Sequence, residues 1–577
     1  MTQAERLHWS RNQLRRELRA NHQEANGVQV QGGVLNLHDD AGRATIERSD
    51  SKGDDSWGRF RGARFSTQTV PVMLDLSGVA ARVSLEDSAR TVRAARAMRA
   101  LERGAIANPE ESRMVGHYWL RAPGIAPTEE IARDIRDSVD HICKFASDIA
   151  SGAVKAPAGP FLDVLHVGIG GSAVGPQFVC GAQPDGVGSV RVHFLDNSDP
   201  AGVDRVLTRL KGGLDRTLVS VVSKSGHTPT PMAVLRELEE RYAAAGLDLA
   251  SFAVATTMSG SPLDERAVRE RWLHRFPLWD WVGGRTSVTS AVGLLPGALL
   301  GMDIRAFLDG AAAMDAWTRD DEVKRNPALA LALAWYCIGG GRGERNMVVL
   351  PYSDRLYGLP KWLQQLVMES IGKRLDRAGA VVEQGMTVYG NKGSSDQHAY
   401  MQQLRDGPAD FFLNFVQIQR DRKGLDVELT PNITLGDHLF ANLEGTRGAL
   451  EERGRFTVTT TMCDSGPSSL GALIALYERA VGLYAELIDV NAYHQPAVDK
   501  YTARAVLDLQ LDVLDAVASA SRPKTAPEIA EAVGREDAGA RVFRLLEHLA
   551  ADGRVARSGG PEPGQTFWGA LVARDDA

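Results

Sequence analysis

The chain has 577 residues, too many for one hydrophobic core, so two large domains or more are expected. With 44% apolar and 24% charged residues its composition is that of an ordinary globular enzyme, and a net charge of −7 argues against general affinity for nucleic acid or anionic membrane. Any anionic ligand must be held by a local positive site.

Taken in order, residues 1–65 are polar and rich in Gly and Asp, and read as irregular or short-stranded structure. The N-terminal "MTQAERLHWSRNQLRREL" has no apolar signal core, and no apolar run is long enough to span a bilayer, which predicts a cytoplasmic protein. Ser84–Arg103 has helical spacing, "GAIANPEESRMVGHYWLRAP" turns at Asn108-Pro109 and then predicts a helix, and the long helical pattern that follows ends at Gly152. Short apolar runs then alternate with Gly/Ser turns and helical patterns, in "DVLHVGIGGSAVGPQFV", "VRVHFLDNSDPAGVDRVL", "TLVSVVSKSGHTPTPMAVLREL" and "SFAVATTMSGSPLDE". That is the texture of a parallel sheet with crossover helices. After a helical stretch at 291–340, a second set runs from "NMVVLPYSDRL" through "DFFLNFVQI". The fold class expected is α/β: two doubly wound α/β sandwiches with mainly parallel sheets. In the tail, two short helical patterns precede a hairpin, the order of a winged helix. Its 8 Lys/Arg against 9 Asp/Glu over 521–577 suit packing or assembly better than DNA. Cys143, Cys180, Cys337 and Cys463 form no Cys-x-x-Cys pair, so buried free thiols are expected rather than a zinc site or a disulfide framework.

"GIGGS" at 168–172 lies where a strand ends and a helix starts, so loop N–H groups and the helix dipole can meet an anion there. Gly168, Gly170 and Ala173 also satisfy G-x-G-x-x-G/A, with Asp196 ending a following strand, so a dinucleotide site stays open on this stretch alone. "SKSGHT" at 223–228 puts the hydroxyls of Ser223, Ser225 and Thr228 before the next helix, a nest suited to the three oxygens of a phosphomonoester, or else ordinary helix capping.

In "GLPKWLQQLVMESIGKR", Gln365 and Glu369 stand at i, i+4 on one helix face. Among Leu366, Val367 and Met368 a carboxylate has its pKa pushed upward and can act as a general base. From periodicity alone a solvated Glu369 paired with Lys373, also at i, i+4, is the better reading. Arg285, behind two glycines in "VGGRTSVTS", offers a guanidinium for oxygen charge developing beside a carbonyl, or a structural ion pair. His398, behind the turn in "NKGSSDQHAYMQQL", is a helix-cap neighbour, a metal ligand or a proton shuttle.

Together "GIGGSAVGP", "SKSGHT", "GGRTSVTSAVGL", "QQLVMESIGK", "GSSDQHAYMQQLRDG" and "NAYHQP" resemble the glucose-6-phosphate isomerase family, in the family's order across roughly residues 100–500. "ANPEESRMVGHYWLRA" resembles its upstream arginine motif, and the full pattern resembles a bacterial branch. The resemblance implies two sugar-isomerase (SIS) domains, at 146–310 and 311–490, after an N-terminal extension and helical segment at 1–145. A helical arm at 491–520 and the winged-helix-like tail at 521–577 would follow. It implies interconversion of glucose 6-phosphate and fructose 6-phosphate through a cis-enediol, with no metal or organic cofactor. Ser172, with Gly170 and Gly171 of its turn, and Ser223, Ser225 and Thr228 would hold the phosphate, with Lys224 in the same loop. Glu369 would be the base, Arg285 would stabilise the enediolate, and Gln365 and Gln495 would position the sugar. His398 would open the ring, reaching in from the neighbouring subunit of a homodimer.

Two positions depart from the family pattern. Its lysine seven residues after the glutamine of the "HQP" stretch is Thr502 here, and the nearest lysine is Lys500. Two residues turn a helix by about 200°, so Lys500 is expected to serve through a local shift of the backbone. Thr286 stands where an aromatic residue often follows the arginine. The rivals are a sugar-phosphate-sensing regulator and an isomerase of a related phosphosugar such as mannose 6-phosphate.

Overall fold

The structure is a computed structural model and describes residues 34–36, 45–47, 56–183, 188, 190–420, 422, 424, 426–497 and 504–571. The chain divides into two compact units, Met1–His494 and Gln495–Ala577.

In the first unit two short strands, β1 (Arg64–Phe65) and β2 (Val72–Asp75), precede helices α1 (Ala89–Glu102) and α2 (Glu129–Ser151). α2 starts where the Thr128 side chain accepts from the Ile131 N–H, and it buries Ile135, Val139, Ile142, Phe145 and Ile149 at helical spacing. It stops at Gly152, whose φ of +75° is a left-handed cap that glycine adopts without strain.

The segment between α1 and α2 corrects the reading of a helix there. Ile106–Asn108 pairs antiparallel with Arg113–Met114, and residues 117–121 form turns. All five of these residues are buried, so the stretch has no solvent face to give it helical patterning. It is held by specific bonds instead: Gly116 N–H to Trp281 O at 3.0 Å, and Trp119 Nε1–H to Glu102 O at 2.8 Å.

Next come β3 (Asp163–Val167), α3 (Val174–Gly181), β4 (Arg191–Leu195), β5 (Thr217–Val222), α4 (Pro229–Ala244), β6 (Ala253–Thr257) and β7 (His274–Pro277). The strands form one sheet in the order β7-β6-β5-β3-β4, parallel throughout. Every residue of β3, β5 and β6 is buried, as in a sheet covered on both faces. From β3 the chain continues to one edge, from β5 to the other, so the crevice at their carboxyl ends is a topological switch point. "GIGGS" and "SKSGHT" are the loops that leave these two strands.

Helices α5 (Ala291–Leu299), α6 (Ile304–Trp317) and α7 (Pro327–Ile338) lead to the second sheet. Its elements are β8 (Asn346–Tyr352), α8 (Leu359–Leu363), β9 (Val388–Tyr389), β10 (Phe411–Ile418), α9 (Leu435–Glu451), β11 (Thr457–Met462) and α10 (Pro467–Leu487). The order is β9-β8-β10-β11-β2-β1, with four parallel strands and the early β2 and β1 added antiparallel at one edge. Residues 469–487 of α10 are buried without exception. Its two adjacent charges are therefore paired: Glu478 with Arg121 at 2.8 Å, and Arg479 with Glu102 at 2.6 Å.

The second unit contains α11 (Arg504–Ala518), α12 (Ala526–Ala532), α13 (Gly539–Ala551) and an antiparallel hairpin of β12 (Ala556–Gly559) and β13 (Thr566–Gly569). Leu509, Val513, Ile529, Val542, Leu546, Leu549 and Trp568 fill its core, the winged-helix order expected of the tail. Cys180 and Cys337 are buried thiols, while Cys143 and Cys463 are half-buried. No helix among the described residues is long and apolar enough to cross a membrane.

Candidate active site

After β3 the chain makes a 3-10 turn over Gly170–Ser172 and then enters α3. The first N–H groups of such a turn have no acceptor within it, and the half-buried Ser172 ends it. The loop packs main chain against main chain on the 283–287 loop. A Cβ added at Gly171 would lie 2.1 Å from the Gly284 carbonyl carbon, and Ser287 Oγ donates to Gly171 O at 3.2 Å. Gly171→Ala is thus expected to force the two loops apart, costing about 1–3 kcal/mol of stability. A thermal melt, read beside kcat/KM, checks this.

After β5, Ser223 is buried and organises its own loop. Its hydroxyl lies 2.9 Å from Thr228 Oγ1 and accepts from the Gly226 N–H at 3.1 Å. Thr228 is the N-cap residue of α4 but makes no side-chain cap bond, so the simple capping account of its hydroxyl does not hold. Ser225 is half-buried in the same loop. Lys224 turns elsewhere: its ammonium donates to the carbonyls of Asp280 at 2.6 Å and Val282 at 2.8 Å. Burial, with Arg113 adding to it, lowers its pKa to about 8. Asp196, the residue a dinucleotide would require for a ribose, receives a bond from Gln177 Nε2 at 2.8 Å.

The second sheet's side of the crevice supplies a carboxylate. α8 continues through a wider π turn at Gln364–Met368 into a last helical turn at Glu369–Ile371. Gln365 Nε2 donates to Glu369 Oε2 at 3.2 Å, as the i, i+4 spacing predicts. Lys373 does not compete for that carboxylate, since its ammonium donates to the main-chain carbonyls of Glu369 at 2.6 Å and Ser370 at 2.9 Å. A Cβ built on Gly170 would stand 3.4 Å from Gln365 Nε2, so the glycine loop and this helix face each other.

Arg285 joins the two halves. It sits in a 3-10 turn at Gly284–Thr286, is 6% exposed, and places Nη1 3.5 Å from Glu369 Oε2. Its remaining donors are fixed from behind: Nε on Ser370 Oγ at 2.8 Å, and Nη2 on the carbonyls of Ala492 and His494. Burial lowers its pKa, with Glu369 opposing that shift, so the guanidinium stays charged beside a carboxylate that is 21% exposed. Sequence reasoning missed Ser370, for which a hydroxyl beside the candidate base was the available signal. Thr286, the departure beside Arg285, is buried and bonds Gly283 O at 3.3 Å.

The other expected residues lie apart. His398 is exposed at the end of a 3-10 turn, Ser395–His398, and no hydrogen bond or ion pair joins its side chain to a described residue. The turn itself is anchored: Gln397 Nε2 donates to Asn442 O at 2.9 Å and to Tyr352 Oη at 3.1 Å. Gln495 is half-buried and belongs to the second unit. Lys500 and Thr502 lie outside the described residues. No group of three or more His, Cys, Asp or Glu suited to a metal ion occurs among the described residues.

Fold and site together define a doubly wound α/β protein with a crevice lined by glycine and hydroxyl loops at the switch point of one sheet and a carboxylate–guanidinium pair completed by the other. A family model described as phosphoglucose isomerase matches residues 79–444. The glucose-6-phosphate isomerase of Nostoc punctiforme is 52% identical over 460 residues, 79% of this chain and 87% of that one. That of Geobacter sulfurreducens is 50% identical over 504 residues, covering 86% and 95%. A crystal structure of a glucose-6-phosphate isomerase from Chlamydia trachomatis superposes with a TM-score of 0.70 at 26% identity, over 85% of this chain and 94% of that one. The chain belongs to the phosphoglucose isomerase family.

Proposed function

We infer that the chain is an aldose–ketose isomerase that interconverts glucose 6-phosphate and fructose 6-phosphate, a step of glycolysis and gluconeogenesis carried out in the cytoplasm. The observation that carries this is the buried Arg285 guanidinium 3.5 Å from the Glu369 carboxylate, beside a loop pair suited to a phosphate. Ser172, Ser225 and Thr228, with the N–H groups of Gly170 and Gly171, take the phosphate, and Ser223 shapes their loop. The Glu369 carboxylate removes the proton from C2 of the open-chain aldose. The same carboxyl returns it to C1 while the O2 hydroxyl proton passes to O1, giving the ketose. Negative charge on the enediolate oxygens is met by Arg285. Gln365 and Gln495 position the sugar hydroxyls, and Lys500 assists ring opening. The test is a coupled assay of fructose 6-phosphate conversion, with and without chelator. Robust activity in both is expected, whereas a chain that binds the sugar phosphate without turnover would be a sensor.

His398 opens the ring from the partner of a homodimer. Its exposure, without a hydrogen-bond or ion-pair partner, supports this, as do the exposed Leu435 and Phe440 on α9, the helix that anchors its turn. His398→Ala and Glu369→Gln subunits, each inactive alone, are then expected to complement when mixed and reassociated. A hybrid dimer has one site with both groups, so random exchange restores about a quarter of wild-type activity under two-fold symmetry. No recovery is expected if His398 acts within its own chain. The domain boundaries 146–310 and 311–490 belong to the same reading. The first is supported by a sheet lying between Asp163 and Pro277, and the second by four strands between Asn346 and Met462.

A further inference from the structure

The strand that leads into the glycine loop carries a histidine that no step above uses. His166 lies on β3, is 1% exposed and packs against Phe194 with ring centroids 5.1 Å apart. Its Nε2 is 2.8 Å from the main-chain carbonyl oxygen of Ser172. We propose that His166 is a positioning residue for the phosphate loop, donating from Nε2 to the Ser172 carbonyl and thereby fixing the turn that presents Gly170, Gly171 and Ser172 to a phosphomonoester. The proposal rests on the reading of this loop as a phosphate site.

A carbonyl can only accept, so the bond requires the proton on Nε2. Nδ1 is buried and has no hydrogen-bond partner among the described residues, which leaves it as the lone-pair nitrogen of a neutral ring. Burial lowers the pKa of the ring to about 4, so the neutral, Nε2-protonated form persists across the physiological range. The bond spans six residues and closes the loop on its own strand. Gly168 lies inside that closure, where an added Cβ would be 2.7 Å from Ser172 O. Two of the turn's other bonds are local, Ser172 N–H to Ile169 O at 3.1 Å and Ala173 N–H to Gly170 O at 2.9 Å, and Ser287 Oγ donates to Gly171 O at 3.2 Å from the 283–287 loop. None of these ties the turn to its own strand. His166 does, and a neutral donor achieves this without adding charge behind the phosphate.

The experiment compares full-length wild type with His166→Phe, His166→Gln and Ser172→Ala, measuring the inhibition constant of inorganic phosphate and kcat and KM for fructose 6-phosphate. In His166→Phe the phosphate constant and KM are expected to rise together by about tenfold, the loss of one part-buried hydrogen bond, with kcat changed far less. His166→Gln keeps an N–H donor at similar reach and is expected to return both to within about threefold. If the phenylalanine variant does not fold, His166→Leu takes its place with the same expectation. Unchanged constants in the apolar variants beside a weakened Ser172→Ala would overturn the positioning role alone. Unchanged constants in Ser172→Ala as well would overturn the phosphate-loop reading and the proposal with it. A glutamine variant as impaired as the apolar ones would show that the ring's packing, and not its donor, is what matters.

Discussion

Glu369→Gln is expected to lower kcat for fructose 6-phosphate by about 10²–10⁴-fold, the usual contribution of a general base, while KM changes little. The amide has the carboxylate's shape and can still meet Gln365 and Arg285, but it cannot take a proton from carbon. The direction follows from geometry. Glu369 Oε2 is already oriented by Gln365 at 3.2 Å and by Arg285 at 3.5 Å, so the carboxylate is held ready and pays little reorganisation in the transition state. The decisive check is solvent exchange of the hydrogen at C2 or C1, followed by NMR in deuterated buffer. Exchange should stop with turnover in the variant. A variant that keeps more than about a tenth of wild-type kcat would assign the base elsewhere, given that a base is worth at least about a hundredfold.

The parts of this site that could be read from sequence are those whose partners are close in the chain. Gln365 and Glu369 are one helical turn apart, and the bond between them follows from that spacing even though the turn is π rather than α. The glycine and hydroxyl loops were legible because each follows a fully buried strand, where apolar residues run continuously. Spacing pointed to Lys373 rather than Arg285 as the neighbour of Glu369. Both options are chemically sound, and the outcome depends on Lys373 folding back onto the helix-end carbonyls. The clamp on Arg285 was invisible for a different reason: Ser370, Ala492 and His494 lie 85, 207 and 209 residues away. Strands were missed by the same logic. β2 has just four residues and finds its partner β11 nearly four hundred positions later, while the threonines of "TVTTTM" hide a strand that is buried throughout. The buried turn at 117–121 had no periodicity to read, because every side chain in it faces protein.

Arg285→Lys is expected to cost about 10²–10³-fold in kcat, the range seen when one preorganised oxyanion donor is lost, although the charge is retained. The reason is the number and directions of the bonds. One guanidinium plane serves Ser370 through Nε, two carbonyls through Nη2 and Glu369 through Nη1. An ammonium is a single point with three donors on a flexible stem, and it cannot reach all four sites from one position. Whichever it abandons among the buried acceptors adds about 1–3 kcal/mol of instability, so the melting temperature should fall along with kcat. Those two effects are separable. In Arg285→Ala, added guanidinium ion is expected to restore part of kcat saturably, and methylammonium at the same concentration should restore much less. Equal rescue by both ions, or an Arg285→Lys enzyme within about threefold of wild type, would mean that positive charge alone serves the enediolate. Under that outcome the Ser370 and carbonyl contacts are a fixture of the fold. Under the expected one they aim Nη1 at the oxygen charge that Glu369 creates.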